Sequence, residues 1–138
     1  MYLIDTNVIS ESRKGTRANS GVSDFFKRIT ADDVPVFLSV VTVGELRRGI
    51  ELIRHRRDLA QAVRLEKWLV HLLRDFQDSI LDIDPDVAQL WGRLRVPNYE
   101  NALDKLIAAT ALIHNLTVVT RNSGDFSRTG VRVLDPFS

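Results

Sequence analysis

The chain has no cysteine. That excludes disulfides, thiolate zinc sites and thiol nucleophiles, and it fits a reducing cytosol. No stretch approaches the roughly 20 consecutive apolar residues that a membrane-spanning helix requires. The N-terminus lacks the basic region and apolar core of a secretory leader, so a cytoplasmic protein without membrane attachment is expected. A large excess of charge is missing too: the net charge is +1 at pH 7, which by itself does not point to a polyanionic partner. There is no G-x-x-x-x-G-K-[ST] loop, no G-x-G-x-x-G turn and no G-x-S-x-G elbow. The three histidines, His55, His71 and His114, have no metal-ligand spacing and are expected at the surface.

What is present is ordinary globular material. A chain of 138 residues, 44% hydrophobic and 27% charged, suits one domain spanning 1–138 with a proper core. Tyr2 to Asp5 reads as a short buried strand. Residues from Thr6 to about Ser12 read as a helix capped by Thr6 or Asn7, and Gly15 to Gly21 as a turn. Val22, Phe25, Phe26 and Ile29 fall at helical spacing. Val36-Phe37-Leu38 is a second strand. A helix with Val43, Leu46, Ile50 and Ile53 inward then turns through His55-Arg56-Arg57 into a longer one, from about Asp58 to Phe76.

Ile80 to Ile83 looks like a third strand. Asp84-Pro85 is a strong helix start, a capping acid followed by proline in the first turn. After a break at Pro97-Asn98, a helix rich in small residues runs from Ala102 to His114, and Asn115 ends it. Leu116 to Thr120 and Val131 to Leu134 read as strands around a loop at Gly124 to Gly130. Strands that alternate with helices predict an α/β fold, with a parallel sheet covered on both faces.

Against this background the acids stand out by position. Asp5 closes the first strand, and ligands of open α/β sheets gather where strands end and helices begin. Glu45 follows the second strand, in Thr42-Val43-Gly44-Glu45-Leu46. Asp104 lies near the start of the small-residue helix. Asp125 follows the strand that ends at Thr120. Taken singly, each has an ordinary role: Asp5 as a cap, Glu45 as a partner of Arg47 or Arg48, Asp104 as an acid near a helix N-terminus, Asp125 as a loop aspartate. Taken together they repel unless a cation neutralises them. Oxygen donors without histidine or cysteine select hard ions such as Mg²⁺ or Mn²⁺. Such ions activate water and stabilise charge on a phosphodiester under in-line attack. Arginines cluster at Arg13 to Arg17 and at Arg47 to Arg57, where they form either a phosphate-binding patch or solvated helix faces.

Four segments carry a resemblance: L-I-D-T-N-V at the start, S-V-V-T-V-G-E-L-R-R-G, L-D-K-L-I-A-A-T-A-L, and V-V-T-R-N. In this order and spacing they resemble the PIN domain, and more narrowly the VapC/FitB-type toxins of bacterial toxin–antitoxin pairs. The likeness covers essentially the whole chain. It implies a three-layer α/β/α sandwich and a metal-dependent endoribonuclease site. Asp5, Glu45 and Asp104 match the family's acids, with Asp5 and Asp104 as the principal ligands of Mg²⁺ or Mn²⁺. The fourth place falls to Asp125 or to Asn122, which could order a water but not supply charge. Thr6, Asn7 and Thr120 match residues that support the site through hydrogen bonds. Arg47, Arg48 and Arg121 are candidates for RNA or antitoxin contact.

The resemblance further implies a homodimer and a cognate antitoxin that blocks the acidic pocket and carries the complex to operator DNA. Two other readings stand beside it. In one the chain is an antitoxin-binding module of a DNA-bound repressor complex with little nuclease activity. In the other, Asp5 is a phosphotransfer nucleophile; that chemistry wants D-x-D at the strand end, and here Asn7 occupies the second place.

Overall fold

A computed structural model describes all 138 residues. Five parallel strands form one sheet in the order β3-β2-β1-β4-β5. They are β1 (Tyr2–Ile4), β2 (Val36–Ser39), β3 (Ile80–Leu81), β4 (Thr117–Val119) and β5 (Val133–Leu134). Six helices flank them: α1 (Thr6–Ser12), α2 (Ser20–Ala31), α3 (Val40–His55), α4 (Leu59–Asp75), α5 (Pro85–Leu94) and α6 (Ala102–His114). Single 3₁₀ turns occupy Gly15–Arg17 and Ser123–Phe126. The strand expected at Ile80 to Ile83 pairs only through Leu81, and the last strand begins at Val133 rather than Val131. Both are edge strands with one neighbour, so nothing extends their ladders further. No helix is long and apolar enough to cross a membrane.

Strand alternation builds the three layers. Ile4, Leu38 and Val119 point to one face, where they pack with Val8, Phe25, Leu46 and Leu69 of α1 to α4. Leu3 and Val118 point to the other, against Ile107, Ala108 and Ala111 of α6 and Phe126. The small side chains of α6 let that helix lie close on the sheet. Trp91 of α5 fixes the connection into α6 by donating from Nε1 to the Ala102 carbonyl at 2.9 Å.

The connectivity places a crevice. From β1 the chain moves outward to β2 and β3, then crosses back to β4 on the other side of β1. Adjacent strands whose connections depart in opposite directions leave an opening at their carboxyl ends. Ile4 is paired with Val119, so the next residues, Asp5 and Thr120, meet at the edge of that opening.

Candidate active site

Asp5 is 4% exposed and its carboxylate is held on both oxygens. Oδ1 accepts from the Thr6 backbone N–H at 2.8 Å. Oδ2 accepts from the Thr120 hydroxyl at 2.7 Å and from the Asn7 amide at 3.3 Å. Asp5 is therefore itself the N-cap of α1, which corrects the assignment of that role to Thr6 or Asn7. Burial raises the Asp5 pKa, opposed by the Thr120 and Thr6 hydrogen bonds; the charge of Asp125 raises it further.

Thr120 is fully buried and acts as a hub. Its hydroxyl oxygen also accepts from the Asn7 amide at 3.2 Å and from the Asn122 backbone N–H at 3.0 Å. Asn7 completes the link by accepting from the Arg121 N–H at 3.0 Å. The ends of β1 and β4 are thus tied by neutral groups.

Glu45 reaches the same place from β2. Ser39 caps α3, its side chain accepting from Val41 N–H at 3.1 Å. Thr42 and Glu45, three residues apart on one helix face, then turn toward α1. Thr6 donates from its hydroxyl to Glu45 Oε1 at 2.7 Å, and lies 3.2 Å from the buried Thr42 hydroxyl. Glu45 forms no ion pair with Arg47 or Arg48.

Asp104 stands in the first turn of α6. Its pKa is pushed up to about 6, by burial first and then by the charges of Asp5, Asp125 and Glu45. Asp104 therefore feels the charges of Asp5, Asp125 and Glu45, and Asp5 feels that of Asp125. Asp125 shares this field with Asp5 and Asp104, whereas Asn122 contributes only a backbone contact through Thr120.

A testable pH dependence follows for metal-free protein. The folded state holds the Asp104 proton more tightly than the unfolded chain does. This contribution to stability is present below the ordinary carboxylate pKa and is lost as pH rises through about 6. Denaturant melts of the parent minus those of Asp104→Asn, in chelator, isolate it; a pH-independent difference would contradict it.

No three acidic or histidine side chains converge closely enough to hold a metal ion between them. The donor set is an open group of carboxylates backed by hydroxyls and an amide. That fits Mg²⁺ or Mn²⁺, which takes one or two protein carboxylates and retains waters.

The arginines differ from the free patch their clustering suggested. Arg47 makes two parallel bonds to Glu66, each 2.7 Å, and meets Glu51 at 3.3 Å. Arg54 bonds Glu51 and Glu66, the latter at 3.2 Å. These contacts clamp α3 to α4. Arg48 is exposed, and Arg121 lies over the Phe137 ring, 4.7 Å from its centroid. A recess of about 160 Å³ runs from Thr6 and Glu45 past Arg13 to Leu65 and Trp68. Thr42 escaped the sequence reading; its signal was its place one helix turn before Glu45.

The PIN domain family profile matches residues 2–131. The chain belongs to the PIN-domain family. Toxin FitB of Neisseria gonorrhoeae is 36% identical over 145 residues, covering 99% of both chains. VapC ribonuclease Y4jK of Sinorhizobium fredii is 28% identical over 144 residues, covering 99% of this chain and 98% of its own. The crystal structure of FitAcB from Neisseria gonorrhoeae superposes with a TM-score of 0.79 at 36% identity, over 99% of this chain and 98% of that one. The parallel sheet and its two helical layers are those of this PIN-domain relative.

Proposed function

We propose that this PIN-domain chain is a metal-dependent endoribonuclease that serves as the toxin of a toxin–antitoxin pair. The observation that carries the reading is the grouping of acids beside the carboxyl ends of β1 and β4: Thr6 bonds both Asp5 and Glu45, and Asp104 feels the charges of Asp5, Asp125 and Glu45. Family membership and the similarity to a toxin and to a ribonuclease support it. Asp5 and Asp104 would hold Mg²⁺ or Mn²⁺, and Glu45 and Asp125 would complete the negative field. When bound, such an ion makes water nucleophilic near neutral pH and offsets charge on a phosphodiester.

The residues of the chain do the rest. Thr120, Asn7 and the Thr6 N–H fix the Asp5 carboxylate before substrate arrives, so little reorganisation is needed at reaction. Thr6 orients Glu45 in the same way. Asp125 takes the fourth acidic place, because its charge reaches both Asp5 and Asp104. A cognate antitoxin would seat a segment in the recess beside Glu45, Leu65 and Trp68 and present a cation to the acids; homodimers and operator binding through the antitoxin complete the assignment.

Purified chain should cut RNA in Mn²⁺ or Mg²⁺ and stop in chelator, and Asp5→Asn should abolish cutting at full metal. Cutting that survives both changes would end the reading. A chain that binds its antitoxin stably, yet neither cuts RNA nor arrests growth when expressed alone, would instead be an interaction module.

A further inference from the structure

Lys105 is a buried cation that the acids do not use. Successive helical residues point about 100° apart, so Asp104 and Lys105 serve different sides of α6. Asp104 feels the other acids, whereas Lys105 lines a separate cleft of about 480 Å³ between the α5–α6 connection and the turn after β4. Lys105 is 8% exposed, and its ammonium donates to the Asn98 carbonyl. The carboxylates of Glu100 and Asp125 also line the cleft, but neither forms an ion pair with Lys105 or with Arg128. An ammonium has three N–H bonds to give. Only two of the twelve residues lining the cleft are hydrophobic, which suits a polar strand far better than an apolar helix. Asn101 and Ser127 add neutral donors and acceptors.

Two further facts connect the cleft to the proposed chemistry. Asp125 lines it and also belongs to the acidic field, so the cleft opens beside the acids. Tyr99, between the lining residues Asn98 and Glu100 in sequence, is 74% exposed. Single-stranded nucleic acids are held by cations on the backbone and by aromatic rings under the bases.

We propose that this cleft seats the RNA strand adjoining the cut site, with Lys105 and Arg128 on a backbone phosphate and Tyr99 stacked against a base. The assignment rests on the ribonuclease reading above, and it gives that site a direction: substrate passes from the acids over Asp125 toward Arg128.

The test measures binding of a short fluorescent single-stranded RNA to the full chain in chelator. Lys105 is buried and its variants risk misfolding, so the exposed residues carry the test. Arg128→Ala should weaken binding about fivefold and lower the slope of log affinity against log salt by about 0.7, the loss of one phosphate contact. Tyr99→Ala should weaken binding about fivefold or more through lost stacking, with the slope unchanged. In Mn²⁺, KM for RNA should rise by the same factors. Unchanged affinity in both variants, or no binding by the parent, overturns the proposal. So does loss of self-association in place of RNA affinity, which would give the cleft to a second copy of the chain. RNA held through Arg128 but never cut would leave the cleft assignment standing and sink the ribonuclease reading. Continued cutting with normal binding in both variants would do the reverse.

Discussion

Asp104→Asn should make the metal-free protein more stable while removing its RNA cleavage. The acid sits half-buried among three like charges and its pKa is raised to about 6. At neutral pH the folded chain must carry a charge that its surroundings oppose. The asparagine keeps the shape and removes that charge. Solvent screening discounts the full shift, leaving a gain of about 1 kcal/mol. For a domain of this size that is about 3–5 °C in Tm. Cleavage should fall by about 100-fold or more, because several kcal/mol of charge stabilisation go with the ion. Calorimetry in chelator and a gel-based RNA assay in Mn²⁺ supply the two readouts. Adding Mn²⁺ should raise the parent's Tm and leave the variant's nearly unmoved. A variant less stable than the parent in chelator would show that Asp104 is an ordinary helix-start acid, and the shared pocket would fail with it.

Thr120→Val is the second large effect, and its sign is opposite. Valine matches threonine in shape but has no hydroxyl. Three bonds disappear: the donation to Asp5 at 2.7 Å and the acceptances from Asn7 and Asn122. The buried Asp5 oxygen keeps only the longer Asn7 contact at 3.3 Å. Leaving a buried charged group short of partners costs about 2 kcal/mol or more, which lowers Tm by about 6–10 °C. Cleavage should also fall, because Asp5 loses both its fixed orientation and a bond that favours its ionised form. Thr120→Ser restores the hydroxyl and should recover most of both quantities. If valine and serine behaved alike, packing rather than the hydroxyl would account for Thr120.

Much of this architecture was legible because each strand ends where an apolar run meets a polar residue. Leu3-Ile4-Asp5 and Val118-Val119-Thr120 announce both the strand and its edge. The small residues of α6, Ile107 to Ala111, announced a helix packed tightly on a sheet. Three things were not legible. Asp5 caps its own helix through the Thr6 N–H, a role hidden because Thr6 and Asn7 are equally good capping types. Arg47 and Arg54 are bound to Glu66, 19 and 12 residues away in sequence, so only the packing of α3 on α4 shows that the patch is neutralised. Lys105 drew no sequence argument of its own; helix periodicity turns it away from Asp104, but its burial and the cleft it lines emerge only from the packing. The choice between Asn122 and Asp125 was also open in sequence. The 3₁₀ turn at Ser123–Phe126 brings Asp125 into the acids' field.

Asp5 does three jobs at one position. Its N–H donates to the Val119 carbonyl at 2.9 Å and extends the sheet; its carboxylate starts α1; and its charge acts on Asp104. Such a residue has almost no freedom to drift. Most replacements would disturb the start of α1 and the acidic field together. Any residue but proline keeps the backbone link; asparagine also keeps the shape and a capping oxygen while erasing the charge. On the ribonuclease reading, the simplest inherited loss of cutting is therefore a silent twin: folded like its parent and chemically inert.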